Sequence, residues 1–277
     1  MARRVGLASA CVIASFALPA ILYWLSVEPG VGSWDVGEMQ TVSYILGIAH
    51  TTGYPAFVLA GWVFSHLFAF GAVAWRINLL GALYFAGAGC ALCCIQMRLG
   101  VRAPIALLAS LLFSTGTIVW NHAIRIDVLS MAAFLAALTL LFLIRWSQGR
   151  DGRAFVVAGI FVGLSLGDHL VIVWTLPSVV VYVAMHRSAL RRGDLLLGTL
   201  AATVVTLCLY AYIPIRSAFV AARGYDRTLG LGFPPGHPYW DYGHPAYLPN
   251  FVALITGAQV HASSSFEGML SFKTLIA

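Results

Sequence analysis

Two carboxylates three residues apart open the stretch WDVGEMQTVSYILGIAHTTGYP, which occupies residues 34–55. They are Asp35 and Glu38, and about one short helix later come His50 and a Gly-Tyr-Pro turn that contains Tyr54. Carboxylates and histidine can take a proton from an attacking hydroxyl group, so these residue types suit general acid–base catalysis. The stretch therefore provides candidate catalytic residues, with Asp35 and Glu38 first among them.

A structural role would explain the same spacing. Asp35 can cap a helix that starts at Val36, and Glu38 would then stand at the third helical position, as in a capping box. The apolar positions after it predict one face of a short helix that lies at a membrane interface and is closed by His50. That face consists of Met39, Val42, Leu46 and Ala49. Capping and catalysis are compatible, because a carboxylate held by backbone amides can still accept a proton.

Further charged and titratable residues lie in short polar breaks later in the chain. They are Arg76, Arg125, Asp127, Asp168, His169, Asp241 and His244. Most have a structural alternative: Arg76 can extend its charge to the interface from a helix end, and Asp127 can cap the helix that follows it. The pair Asp168-His169 can belong to a simple turn. Arg125 suits an anionic partner, either an acidic neighbour or a phosphate group.

The composition indicates the setting of these residues. Of the 277 residues, 60% are hydrophobic and 9% are charged, whereas soluble domains carry roughly 25% charged residues. The chain is therefore predicted to be an integral membrane protein. Its net charge of +6 follows from arginines that flank apolar runs, and it predicts no nucleic-acid partner. The five cysteines lie inside apolar runs and predict no disulfide framework.

The placement of arginines decides how often the chain crosses the membrane. Candidate spans are the apolar runs 5–27, 77–97, 103–121, 128–144, 154–167, 170–185 and 194–215. The further run 55–72 is ambiguous. If 55–72 crossed, the basic segments RWSQGRDGR and HRSALRR would face outside. We therefore expect 55–72 to lie along the membrane face or to re-enter, and the chain to cross seven times.

Seven crossings give an all-α polytopic fold with two interfacial helices in a first outer loop of about residues 28–75. The predicted transmembrane module covers residues 1–215, and residues 216–277 are expected to form an extracytoplasmic loop. Because no closing helix follows, we expect the sequence to be a piece of a longer protein. This topology places most acids and histidines on the outer face, and titratable groups at a membrane boundary are usually functional.

Five motifs occur in a recognisable order: WDVGEM…LGIAHTTGYP, RINLLGAL, WNHAIRIDVLSM, GLSLGDHL and WDYGHPAYLPNFVALITGAQ. This series resembles the bacterial relatives of the TMEM260-type protein O-mannosyltransferases, which belong to the GT-C class of membrane glycosyltransferases. The resemblance runs from about residue 34 to 259. The chain departs from the family pattern in having HTTGYP without a proline pair, Val36 in place of serine, Asp127 in place of glutamate, and Asp168-His169 in place of asparagine-histidine.

The resemblance implies a GT-C-like fold and a sugar donor carried on polyprenyl phosphate, with no certain cofactor. The implied reaction moves a sugar, mannose in the eukaryotic relatives, to a hydroxyl group of a protein or glycan acceptor with inversion. Asp35 would be the general base, assisted by Glu38. The remaining candidates would bind donor phosphate or substrate: His50, Tyr54, Arg76, Arg125, Asp127, Asp168, His169, Asp241 and His244.

Two questions stay open at this level. A divalent metal at the acids is an alternative to general-base catalysis, although the outer loops carry no clear metal-ligand cluster. A transporter or flippase of a polyprenyl-linked or anionic substrate is the alternative function, and a catalytically silent lipid-binding scaffold is a third. The compact loops and the alanine- and arginine-rich composition favour a bacterial inner membrane, with the site facing the periplasm.

Overall fold

The structure, a computed structural model, describes residues 2–224 and 240–258. Within these ranges the protein is all-α, as predicted, and a single isolated β-bridge joins Ile48 to Asp241. Two short 3-10 turns, Leu170–Thr175 and Arg187–Ala189, flank the ninth α-helix. The α-helices are α1 (Ala2–Ser26), α2 (Asp35–Ile45), α3 (Pro55–Leu67), α4 (Val73–Arg98), α5 (Ala103–Thr115), α6 (Thr117–Ala123), α7 (Val128–Gly149), α8 (Gly152–Asp168), α9 (Leu176–Met185), α10 (Arg192–Arg223) and α11 (Leu248–Thr256).

Four of the described helices are long and apolar enough to cross a membrane, namely α1 from Gly6, α4, α7 and α10. A fifth crossing results if α5 and α6, which meet at 64°, form one broken span. The chain is thus a multi-pass membrane protein, while the count of seven crossings stays a prediction. Helix α3 has 13 residues, fewer than the roughly 20 that a crossing requires, which agrees with a non-spanning role for 55–72.

The course of α2 corrects two expectations. The helix starts at Asp35 itself, Trp34 occupies the N-cap position, and no side chain caps it, so the predicted capping box was wrong. The helix also ends before His50, because Leu46 adopts a left-handed conformation with φ 54° and ψ 47°. Beyond Leu46 the chain is drawn into the bridge with Asp241 instead of continuing the helix.

The C-terminal part of the described chain packs back onto this turn. Helix α10 continues to Arg223, past the predicted end of the last span at residue 215. After a gap, residues 240–258 bring Trp240 against Ile48, whose amide donates to the oxygen of Trp240 at 2.5 Å. The predicted outer loop of 216–277 is otherwise mostly outside the described residues, since 225–239 and 259–277 are not part of them.

Small residues allow α8 and α10 to approach closely. Gly159, Gly163 and Gly167 recur every four residues on α8, so they share one face. A Cβ atom added to Gly163 would lie 2.6 Å from the oxygen of Ala202, and one added to Gly159 would collide with the backbone of Gly198. This is the small-residue packing that membrane helices use. This packing holds the C-terminal end of α8 against α10.

Candidate active site

A cavity of about 220 Å³ opens between the N-terminus of α2, the turn before α3, the loop before α7 and the end of α8. Five of the predicted site residues line it, and they come from these four places in the chain. They are Asp35, His50, Tyr54, Asp127 and His169. The sequence separates them widely, so their convergence is a result of the tertiary fold.

Glu38 holds His50 in this cavity. One carboxylate oxygen of Glu38 accepts from the backbone amide of His50 at 2.7 Å, and the other lies 2.7 Å from His50 Nδ1. On the far side of the ring, Nε2 lies 3.2 Å from the hydroxyl of Tyr54, which itself donates to the oxygen of Thr51 at 2.9 Å. When both ring nitrogens of His50 carry protons, each polar group in this series of hydrogen bonds has a partner.

The electrostatics agree with a protonated ring. The hydrogen bond to Glu38 raises the pKa of His50 above its ordinary value, against the opposing effect of partial burial, and the charges of Glu38 and Asp35 add to it. Burial and the surrounding carboxylates raise the pKa of Tyr54, so its hydroxyl keeps its proton. The hydrogen bonds from Glu38 through His50 to Tyr54 therefore favour the protonated form of His50 beside the cavity.

Asp35 differs from Glu38 in having no such partner. Its side chain is exposed, lines the cavity and makes no hydrogen bond within the described part of the molecule. The two acids share one side of α2, since residues three apart are neighbours on a helix. One acid of the predicted pair is thus fully engaged with His50, and the other is free to meet a substrate.

Asp127 stands at the N-cap of α7, as its position before an apolar run predicted. Its carboxylate accepts from the amide of Leu129 at 2.8 Å, and its other oxygen lies 2.6 Å from His122 Nδ1. The cap fixes the direction of the loop that leads into α7. Since Asp127 also lines the cavity, capping and a site role coexist in this residue.

Asp168 and His169 do not pair with each other. His169 Nδ1 accepts from the amide of Val171 at 2.9 Å, which leaves Nε2 to carry the proton of a neutral ring. Burial lowers the pKa of His169, and the charge of Asp127 opposes that effect. Asp168 is 1% exposed, and neither of its oxygens has a hydrogen-bond partner among the residues that the structure describes. His169 thus offers an N–H donor in the cavity wall, with Asp168 enclosed behind it.

The two predicted arginines lie outside the cavity lining. Arg76 is buried, and its Nη1 donates to the backbone oxygens of Ser65 and Phe68 at the end of α3. Arg125 is exposed and lies 4.0 Å from Glu28, a pairing that contributes little at the surface. Arg125 nevertheless belongs to the loop that carries Asp127 into the cavity.

Asp241 and His244 also lie outside the lining. Asp241 is 4% exposed, and its Oδ2 accepts from Ser217 Oγ at 3.2 Å and lies 3.0 Å from His244 Nδ1. These contacts secure the 240–258 segment to α10. Tyr242, between them, points its partly exposed ring towards His50, with ring centroids 6.4 Å apart. The segment therefore reaches the site through Tyr242.

Comparison with known proteins places this arrangement. The family model of the protein O-mannosyl-transferase TMEM260 N-terminal domain matches residues 35–192, which include all the residues that line the cavity. The chain belongs to the TMEM260 family. It is 30% identical over 230 residues to the Mus musculus protein O-mannosyl-transferase TMEM260, covering 80% of this chain and 33% of that protein. A Dictyostelium discoideum protein of the same name is 30% identical over 144 residues, which are 50% of this chain and 17% of the relative.

The chain therefore spans about a third of the length of the mouse relative, and its match to the Dictyostelium discoideum relative covers 17% of that protein. No solved structure matches it. The family match confirms the resemblance that the five motifs indicated.

Two buried amide side chains of this TMEM260 family member, Gln40 and Asn78, hold the site together, and no pattern in the sequence indicated their role. Asn78 is fully buried. Its Oδ1 accepts from Gln40 Nε2 at 2.8 Å and from the amide of Ile126 at 3.0 Å, and its Nδ2 donates to the oxygen of Glu28 at 2.8 Å. One side chain thus joins the loop before α2, α2 itself and the loop of Asp127.

The C-terminal part of α10 holds the turn that carries His50 in place. Tyr212 donates to the oxygen of Gly47 at 2.9 Å, and Arg216 donates to the oxygens of Leu46 and Ile45 at 2.8 and 3.2 Å. Arg216 was not among the site residues that the sequence indicated, because no local signal links it to a turn that lies 170 positions earlier.

The structure also groups three residues of metal-ligand type that the sequence did not indicate as a cluster. Asp35, Glu38 and His50 each offer an atom, and these atoms lie within 4.8 Å of one another. His50 fits poorly as a ligand, because a metal requires a free ring nitrogen and both are engaged with Glu38 and Tyr54. Asp35 and Glu38 are the residues that would hold a divalent ion at this site.

Proposed function

We propose that this protein is a membrane glycosyltransferase that moves mannose from a polyprenyl-phosphate donor to an acceptor hydroxyl group, on a protein serine or threonine, at the extracytoplasmic face. The family relationship supports the reaction class, because both curated relatives are named protein O-mannosyl-transferases. The different contacts of Asp35 and Glu38 support the assignment of the catalytic site.

Asp35 is the general base in this proposal. It lines the cavity, and its carboxylate has no partner among the described residues. Glu38 is occupied by two contacts with His50 and acts as a positioning residue. Proton removal by Asp35 makes the acceptor oxygen nucleophilic, a contribution of about 10²–10⁴-fold in typical cases. The oxygen attacks the anomeric carbon opposite the phosphate, the bond from that carbon to the phosphate oxygen breaks, and the configuration inverts.

The leaving phosphate requires positive charge or N–H donors. In its protonated form His50, held in place by Glu38, provides a cation, and His169 provides an N–H through Nε2. Arg125 is an additional candidate, since it is exposed and lies on the loop next to the cavity. We assign Arg76 no role in this step because its guanidinium is bound at the end of α3.

An apolar groove provides a path for the lipid tail of the donor. It has a volume of about 510 Å³ and follows α3 from Ala56, two residues after Tyr54, to Phe68. Met131, Leu164 and Leu209 form its other walls. A lipid phosphate near His50 could therefore place the first part of its isoprenoid chain along α3.

Transfer assays on the purified chain test the proposal. Radiolabelled polyprenyl-phosphate mannose would be offered with a serine- and threonine-containing peptide to wild type, Asp35→Asn and Asp151→Asn. Asp151 is the matched control, because it caps α8 by accepting from Arg153 and asparagine caps equally well. We expect Asp35→Asn to lose transfer at least about a hundredfold and Asp151→Asn to retain it. Equal activity of both variants would contradict the role of Asp35, and no activity in wild type would contradict the donor or acceptor.

Treatment with a chelator distinguishes a general base from a metal ligand at Asp35. Treatment with EDTA leaves activity unchanged if Asp35 acts by proton transfer alone. If activity falls and returns with Mn²⁺ or Mg²⁺, Asp35 and Glu38 hold a metal, and the general-base assignment is wrong.

A further inference from the structure

Arg76 is a buried cation without a carboxylate partner. It is 7% exposed, and within residues 2–224 and 240–258 no acid lies close enough to form an ion pair with it. Its Nη1 donates to two backbone oxygens, and its guanidinium lies 5.8 Å from the ring centroid of Tyr44. Nε is enclosed and makes no hydrogen bond to any described residue. Buried charges are normally paired, so this site favours an anion that the protein does not itself supply.

An apolar groove of about 610 Å³ begins beside this arginine. It lies between α1, α3 and α4, and Phe68, whose oxygen accepts from Arg76, is one of its lining residues. Further down, the walls are formed by Phe16, Ala17, Ala20, Ile21, Leu79 and Leu83. The groove thus runs from Phe68, the residue that accepts from Arg76, along α1 and α4, which are both long enough to span a membrane.

Aromatic residues mark the level of Arg76 relative to the bilayer. The rings of Trp24 and Trp75 meet edge to face at 4.9 Å, and Phe70 lies 5.6 Å from Trp75. Tryptophan gathers at the membrane–water interface. Arg76 follows Trp75 directly in α4, so its charge lies at the depth of lipid headgroups, above an apolar groove at the depth of lipid chains.

We propose that this groove binds an anionic phospholipid of the surrounding bilayer, with the phosphate at Arg76 and an acyl chain along α1 and α4. The phosphate position at Arg76 is separate from the cavity of Asp35 and His50, since none of the residues that line the groove lines that cavity. The groove shares Phe64 and Phe68 with the one on the other side of α3, which starts two residues from Tyr54. The bound lipid would fill the space between α1 and α3 and neutralise Arg76.

Native mass spectrometry of the full chain tests this site with two lipids that share acyl chains, phosphatidylglycerol and phosphatidylcholine. We expect wild type to retain the anionic lipid about tenfold better, as one charge-assisted contact allows. In Arg76→Gln that preference should disappear. Arg98→Gln, at the opposite end of the same helix, should keep it.

A second variant covers the risk that Arg76→Gln misfolds. Ala17→Phe fills the groove and leaves Arg76 intact, and it should reduce retention of both lipids. Equal retention of the two lipids by wild type would overturn the proposal, as would unchanged retention in both variants. Displacement of phosphatidylglycerol by polyprenyl phosphate, with loss of transfer in Arg76→Gln, would assign the groove to the donor instead. Loss of a second protein copy from the complex in Ala17→Phe would assign it to a protein contact.

Discussion

The guanidinium of Arg216 donates to the backbone oxygen of Leu46 at 2.8 Å. This contact joins the C-terminal part of α10 to the last residue before the turn that carries His50. A second N–H of Arg216 reaches the oxygen of Ile45 at 3.2 Å. The final carbonyls of a helix lack partners within it and carry partial negative charge. Arg216 therefore satisfies the end of α2 in both respects, and it fixes the start of the turn that places His50 opposite Glu38.

Replacement of Arg216 by glutamine tests this role. A hydrogen bond to a charged group contributes about 1.5–3 kcal/mol, so Arg216→Gln should lower the free energy of unfolding by that order and reduce sugar transfer by loosening His50. Arg223→Gln is the matched control on the same helix, because Arg223 stacks on Phe219 and makes no hydrogen bond in the described part of the chain. Thermal unfolding in detergent and the transfer assay provide the two measurements. Identical behaviour of the two variants would show that Arg216 does not hold the turn.

The pairing of Glu38 with His50 predicts a shift that NMR can detect. Since the hydrogen bond to Glu38 is the largest cause of the raised pKa of His50, Glu38→Gln should lower that pKa. The titration of selectively labelled histidine side chains would be followed in wild type and in the variant. Asp151→Asn, which removes a distant acid from the other end of α8, should leave the His50 signal unchanged. An unaltered titration in Glu38→Gln would refute the pairing.

The same shift determines how stability depends on pH. The pKa of His50 is higher in the folded protein than the roughly 6.5 of an unfolded chain, so its contribution is complete below about pH 6.5. That contribution is lost as the pH rises through the folded pKa. The melting temperature of wild type should therefore fall over this pH window, and that of Glu38→Gln should fall less. A melting temperature that falls equally in both proteins would show that His50 is not the group responsible.

Asn78 provides a test of how the site is assembled. Asn78→Ala removes the acceptor for the amide of Ile126 and for Gln40 Nε2, and it leaves the oxygen of Glu28 without its donor. Each buried group left unpaired costs about 1–3 kcal/mol, so we expect a destabilisation of about 2–5 kcal/mol. Asn121→Ala is the control, since that side chain is exposed and makes no hydrogen bond within the described chain. Similar melting temperatures for both variants would show that Asn78 does not join these elements.

The sequence predicted those parts of the fold that depend on local patterns. Asp127 before an apolar run indicated an N-cap, and its contact with the amide of Leu129 confirms it. The run 55–72 was ambiguous by itself, and the placement of arginines along the chain indicated that it does not cross; α3, with 13 residues, is shorter than a crossing requires. The cap depends on residues within one helical turn and the topology on the distribution of charge along the chain, so spacing and composition suffice to identify them.

Other parts of the site could not be predicted because distant residues decide them. The spacing of Asp35 and Glu38 fits a capping box as well as it fits catalysis, and the choice depends on where the chain goes after α2. Leu46 turns left-handed and Ile48 pairs with the segment of Asp241, which delivers His50 to Glu38. Arg76 shows the converse, since its charge suggested phosphate binding in the site, and the carbonyls at the end of α3 hold it elsewhere.

The glycine face of α8 gives a test in which two effects have opposite signs. Alanine is about 1 kcal/mol more favourable than glycine inside a helix, so Gly→Ala stabilises wherever there is space. Gly193→Ala should do so, because nothing lies within 4 Å of its added Cβ. At Gly163 the Cβ would lie 2.6 Å from the oxygen of Ala202 and 2.9 Å from Val205 Cβ. Overpacking of this kind costs about 1–3 kcal/mol, which exceeds the gain in propensity. We therefore expect Gly163→Ala to melt at a lower temperature than wild type and Gly193→Ala at a slightly higher one. A raised melting temperature in Gly163→Ala would mean that α8 and α10 are farther apart than these contacts require.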